Sequence, residues 1–176
     1  MPSRTVAFLD EVPPPLREGL RQLRDELGVP DDFPVEVIEA AQAAAADVQL
    51  PVTDLTDVEF VTIDPAGSLD LDQALHLSRT DTGYLVRYAI ADVAAFVEPG
   101  GVIDDECHER VETLYAPSRR TPLHPEALSE GAASLLPDSE RSAYVWDLRL
   151  DADAVVVETQ VYRARVRSRA QLDYAS

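Results

Sequence analysis

Three carboxylates, Asp64, Asp70 and Asp72, fall within nine residues in the stretch Thr62-Ile-Asp-Pro-Ala-Gly-Ser-Leu-Asp-Leu-Asp-Gln-Ala-Leu75. Like charges this close repel one another and cannot be buried together without a compensating charge, so this stretch constrains the fold around it. The apolar run at 58–63 reads as a strand and Pro65, Ala66 and Gly67 as a turn, which leaves Asp64 where a strand gives way to a loop. Residues 69–73 read as extended. Leu69 and Leu71 alternate with Asp70 and Asp72, so the leucines should anchor one face and the carboxylates share the other. The turn is then expected to bring Asp64 back beside them. On spacing alone two readings stay open: a solvated acidic turn in a chain with aspartate to spare, and a site for a hard cation such as Mg²⁺.

Before this stretch the pattern is helical. Leu16, Leu20, Leu23 and Leu27 recur on one helical face, and Gly28 and Pro30 stop that helix. A second, alanine-rich helix is expected from Pro34 to about Val48, giving a short helical hairpin, and residues 49–57 read as a linker. After the carboxylates, strands are expected at 84–93, 144–150 and 155 to about 167, with turns at Asp81-Thr-Gly83 and Asp151-Ala-Asp153. A helix is expected at 103–114 with Asp104 as its N-cap, an ordered proline-rich loop at 117–125 and a short helix at 126–135. The fold class is α+β: a mixed, antiparallel-rich sheet preceded by the hairpin, divided into 1–57 and 58–176. Trp146 is expected in the core, and His76, His108 and His124 in ordinary packing or surface roles.

At 45% hydrophobic residues the chain can bury a core, and no apolar run is long enough for a membrane span. Cys107 is the single cysteine, which excludes an intrachain disulfide and fits a reducing, cytoplasmic setting. The net charge of −18 runs against phosphate binding, but the last sixteen residues hold four arginines against one aspartate. Arg163, Arg165, Arg167 and Arg169 alternate there with small or apolar residues, and in a strand they form one basic stripe. A phosphate track and a solvated sheet face are both open for it.

The string TIDPAGSLDLDQAL resembles the signature of the ribonuclease II family, the RNB-domain exoribonucleases. Further segments resemble the same family in the same order: Tyr88-Ala-Ile-Ala-Asp-Val93, Phe96-Val-Glu-Pro-Gly100, Arg110 through Tyr115-Ala-Pro117, Thr121 through Glu130, Ser134-Leu-Leu-Pro137 and Ser168 through Tyr174. Any one alone is a weak signal; together and in order they are specific.

The resemblance implies a 3′→5′ exoribonuclease that hydrolyses single-stranded RNA to 5′-mononucleotides with Mg²⁺, Mn²⁺ being a possible substitute. Asp64 and Asp70 match metal-ligand positions of the motif, and Asp72 the carboxylate that hydrolysis requires. Gln73 stands where the family has a fourth aspartate, so a neutral amide oxygen replaces a charged ligand and metal affinity should fall. Tyr115 matches an aromatic that stacks on the 3′-terminal nucleotides; a core tyrosine at a helix end is the other reading. Asp92 reads as structural. The family continues beyond the last matching segment, so the chain is expected to be the N-terminal part of the catalytic domain, with the missing C-terminal part of the enzyme as its partner. By itself it is expected to be poorly active and to expose the apolar edges of an unfinished sheet. An RNA-binding or regulatory relative weakened by Gln73, and a structural domain with an acidic loop, are the alternatives.

Overall fold

Small side chains decide how tightly this sheet curls. Ala74, Ala89, Ala143 and Ala164 are fully buried on four neighbouring strands, and the room they leave is filled by Phe60, Val145 and Val166. An interior this narrow suits a barrel of few strands. The computed structural model describes residues 13–30, 32–116 and 119–174. In it five strands close into a barrel: β1 (Asp54–Ile63), β2 (Gln73–Thr80), β3 (Gly83–Ala91), and then β6 (Glu140–Asp151) and β7 (Val156–Leu172). Between β3 and β6 lie β4 (Leu114–Ala116) and β5 (Arg119–Thr121), which form a separate two-stranded sheet. Neighbouring barrel strands are antiparallel except at the closure, where β1 runs parallel to β7 from Asp54↔Arg165 to Ile63↔Leu172.

The mixed, antiparallel-rich α+β class is therefore observed, with corrections. The sheet closes on itself, so the expected exposed edges are absent among the described residues. Part of its outer face is apolar instead, with Leu77, Ile90, Tyr144, Trp146 and Val161 all exposed. Trp146 is thus not a core residue: it stands on the outside, across from Tyr88 and Val161. β1 begins at Asp54, inside the expected linker, because Asp54 and Leu55 already pair with β7. β2 is a strand that the apolar pattern did not single out. Residues 69–72, read as extended, lie outside any strand.

Helix α1 (Pro14–Glu26) and helix α2 (Val35–Ala46) occur where the periodicity puts them. α1 buries none of its own residues, and Arg24 ties it to Thr121 Oγ1 at 2.9 Å. α2 is more deeply engaged. Its Val37 and Ala41 join Phe96, Ile103, Leu128 and Ala133 in a second core beside the barrel. That core also takes in helix α3 (Val102–Arg110) and a single π-helical turn at Ala127–Ala132, where Ala133 N donates to Leu128 O at 3.0 Å. α3 is capped by Gly101, not Asp104; the Asp104 carboxylate instead accepts from Gly100 N at 2.9 Å. The chain then turns at Val111, with φ of 67°, so Leu114 and Tyr115 belong to β4 and not to the helix end. Within the expected proline-rich loop, Arg119–Thr121 form β5, paired with β4, and residues 122–125 lie outside any strand; Pro117 lies outside the described residues.

Asp92 is buried at the end of β3, where Ser142 Oγ donates to it at 2.7 Å and Arg163 pairs with it at 3.1 Å. It ties β3 to β6 and β7, which agrees with a structural role. Gly83 is required by close approach: a Cβ there would lie 2.1 Å from Leu150 O and 2.5 Å from Asp151 C, both backbone atoms. Gly83→Ala should therefore lower stability by about 1–3 kcal/mol, because only a backbone shift relieves the clash. Chemical denaturation monitored at Trp146 measures this, and an unchanged midpoint would contradict the closeness of β3 and β6.

Candidate functional site

The carboxylate loop, residues 64–72, is irregular but pinned on three sides. Asp64 N donates to Leu172 O at 3.0 Å, so the end of β7 fixes the residue that follows β1. Gln171 Nε2 holds Ser68 O at 3.0 Å. On the next side Ser134 Oγ donates to Leu69 O at 2.5 Å and accepts from Leu71 N at 3.0 Å, and Leu135 N donates to Leu71 O at 2.8 Å. On the last side Ala91 N donates to Asp72 O at 2.9 Å. Leu71 is completely buried in the barrel core, so the chain on either side of it is held at the surface. Leu69 does not share that anchoring role: it is 52% exposed, because no strand ladder holds it on the Leu71 face.

The three aspartates are close enough to sense one another. Burial, with the like charges of Asp72 and Asp70 adding to it, pushes the Asp64 carboxyl above its ordinary value. Asp72 is exposed, and Asp70 and Asp64 are half-buried. Two of the four expected metal ligands are engaged by protein groups. Asp70 accepts from Arg120 Nη1 at 2.7 Å, while Arg120 Nη2 donates to Glu130. Gln73 Oε1 accepts a hydrogen bond from the Tyr88 hydroxyl. Among the described residues no group of three or more His, Cys, Asp or Glu is arranged to hold a metal ion. The chemistry of the donor set nevertheless fits a hard divalent cation: the oxygens are hard, and the excess negative charge on Asp64 is what such a cation relieves.

Tyr115 is 76% exposed on β4, directly across from Arg120 of β5, which removes the core-tyrosine reading. The four arginines of β7 do share the outer face, but they are not equivalent. Arg163 pairs with Asp92 and lies over the Tyr144 ring at 4.8 Å. Arg165 pairs with Asp54 and, at 3.4 Å, with Glu140. Arg167 and Arg169 donate to the Thr56 carbonyl, at 3.4 and 2.8 Å. Of the histidines, His76 contacts Glu59 O, His108 lies beside Asp104, and burial holds the His124 imidazole below its usual value. Arg120, Glu130, Ser134 and Tyr88 are not among the site residues expected from the sequence, although Tyr88, Glu130 and Ser134 lie inside segments that match the family and Arg120 immediately precedes one.

Comparison with known proteins follows this geometry. The RNB domain model matches residues 52–176. Ribonuclease R of Mycoplasma pneumoniae is 39% identical over 123 residues, covering 69% of this chain and 17% of that protein. The structure titled "Mycoplasma genitalium RNase R in complex with ribose methylated single-stranded RNA" aligns with a TM-score of 0.81 at 27% identity, covering 89% of this chain and 25% of that one. Yeast Ssd1, described as a pseudonuclease, shares the fold with a TM-score of 0.62 at 19% identity, over 72% of this chain and 17% of that one. The chain thus spans well under a quarter of the length of the curated relatives it matches.

The charge on Asp64 gives the loop a pH signature. With its folded pKa raised above the unfolded value, Asp64 costs no stability below the unfolded pKa, and the cost appears as pH rises through the folded one. Asp64→Asn should raise the melting temperature of the metal-free protein by about 1–3 °C at pH 7 and give a smaller gain near pH 4. Calorimetry in a chelating buffer checks this; a gain that does not change with pH would mean that the Asp64 carboxyl is not held above its ordinary value in the folded protein.

Proposed function

The chain belongs to the RNB domain family, and from that membership we propose that it is the carboxylate-bearing part of a 3′→5′ exoribonuclease acting on single-stranded RNA with Mg²⁺ in the cytoplasm. One observation carries the reading: Asp64, Asp70 and Asp72 sit together on a loop whose backbone is fastened to β7, to β3 and to residues 134–135. Asp64, Asp70 and Asp72 would hold the metal, with the Gln73 amide oxygen as a neutral fourth donor. When bound, the cation supplies a Lewis acid toward the scissile phosphate and a more acidic attacking water.

The protein's own groups have separate tasks. We assign Asp72 the proton of the attacking water; its exposure on the loop supports this. Tyr115, exposed on β4, offers a stacking surface to a terminal base, an interaction tolerant of sequence. Arg167 and Arg169, which make no carboxylate ion pair among the described contacts, are the members of the β7 stripe suited to phosphates. Arg163 and Arg165 are committed to Asp92, Asp54 and Glu140 and serve the barrel instead.

A second reading has its own observation. Gln73 brings no charge, and its amide oxygen is already taken by the Tyr88 hydroxyl, which favours an RNB-like RNA-binding protein with weakened hydrolysis. One assay separates the two: 3′-end shortening of a 5′-labelled single-stranded RNA in Mg²⁺ by wild type, Asp72→Asn and Gln73→Asp. Measured in the complete enzyme of which this chain is proposed to be a part, the enzyme reading expects turnover and a loss of about 100-fold or more on Asp72→Asn, with RNA affinity retained, while the chain by itself is expected to be poorly active. Turnover confined to Gln73→Asp supports the weakened relative, and no Asp72-dependent turnover in either protein contradicts the enzyme reading.

The stripe gives a further expectation. Replacing Arg167 and Arg169 together with alanine should reduce the salt slope of RNA affinity by about one to two. Replacing Arg163 and Arg165 should chiefly lower stability. Equal effects of the two pairs on the salt slope would show that the ion pairs do not divide the stripe.

A further inference from the structure

Arg120 joins two parts of the molecule that the proposed chemistry needs together. It stands on β5 directly opposite Tyr115, so the same face of the small sheet presents the aromatic ring and the guanidinium. One arm of the guanidinium, Nη1, reaches Asp70 in the carboxylate loop at 2.7 Å. The other, Nη2, reaches Glu130 in the π-helical turn. The three side chains are half-buried to partly exposed, at 30% for Arg120, 40% for Asp70 and 21% for Glu130, so the pairs are accessible to exchange.

The division of labour between the two arms matters. A guanidinium holding two carboxylates can release one and keep the other without becoming an unpaired charge. Asp70 is also the ligand whose charge a divalent cation would need. Arg120 and the cation therefore compete for the same carboxylate, and Glu130 gives Arg120 a place to remain when it loses.

We propose that Arg120 is a positioning residue that serves as an exchangeable counter-ion for Asp70. It holds Asp70 when no metal is bound and falls back on Glu130 when a divalent cation takes Asp70, which links the seat of Tyr115 to metal binding. The inference rests on the reading of Asp70 as a metal ligand. Metal arrival thus loosens the tether between the carboxylate loop and β4–β5, leaving the small sheet free to adjust to the end of an RNA strand.

The test uses Mn²⁺ itself as the probe, with affinity read from the free-ion electron paramagnetic resonance signal, so that no turnover is needed. Arg120→Met removes the competing charge and keeps the stem, and should tighten Mn²⁺ binding about tenfold. Glu130→Gln removes the fall-back carboxylate, leaves Arg120 bound to Asp70 alone, and should weaken binding about threefold. In the wild type Mg²⁺ should raise amide exchange across β4 and β5, and in Arg120→Met it should not. Mn²⁺ affinity within twofold of wild type in Arg120→Met, no weakening in Glu130→Gln, or the same exchange response in both proteins overturns the proposal. Glu130→Gln keeps the test decisive if Arg120→Met does not fold. Asp70→Asn separates the two levels of inference. If it binds Mn²⁺ as the wild type does, the metal reading fails and this one with it; if it loses binding while Arg120→Met is unchanged, only the role of Arg120 falls.

Discussion

Leu71 is fully buried between two carboxylates, and most of what the molecule can do follows from that placement. Its side chain fills the barrel with Phe60, Val145 and Val166, while its backbone is held by Ser134 and Leu135, more than sixty positions away. Asp70 and Asp72 are carried to the surface as a consequence. A residue that contributes to the core by its side chain and to the site by its neighbours makes the loop as rigid as the barrel to which it is anchored. Loops that carry function are commonly positioned in this way by a packed scaffold.

Charge balance is settled locally despite the overall −18. Arginines on β7 and β5 are set against particular carboxylates: Arg163 against Asp92, Arg165 against Asp54 and Glu140, Arg120 against Asp70 and Glu130. Burial, and after it the like charges of Asp72 and Asp70, holds the Asp64 carboxyl above its ordinary value. Three aspartates within nine residues leave negative charge at the loop, which a divalent cation would relieve. The fold is shared both with ribonuclease R and with a chain described as a pseudonuclease, so the fold by itself does not decide catalysis.

What the sequence made legible divides along physical lines. Both N-terminal helices, the β2–β3 turn and the β6–β7 hairpin follow from local periodicity and turn chemistry, and they occur as expected. Leu71 was correctly placed inside by alternation; Leu69 was not, because alternation holds only where a strand ladder enforces it. β2 and Trp146 misled for a common reason. The barrel is so narrow that alanines face inward and the larger Leu77, Tyr88 and Trp146 face outward, so size is a poor guide to burial here. The parallel closure of β1 on β7 and the reach of Arg120 to Asp70, fifty positions apart, are non-local, and no window of sequence contains them. Spacing makes the carboxylate cluster visible as a group of like charges but leaves a solvated acidic turn open, and only the ordered resemblance of several segments favours a cation site.

The central claim is that the carboxylate loop is a divalent-cation site made by Asp64, Asp70 and Asp72. Anomalous diffraction from crystals of the protein soaked in Mn²⁺ tests it most directly. The account predicts a single strong peak within about 2.0–2.6 Å of oxygens from these three side chains, with the Arg120 guanidinium withdrawn from Asp70. A fully soaked crystal with no peak at the loop, and with Arg120 still on Asp70, would contradict it.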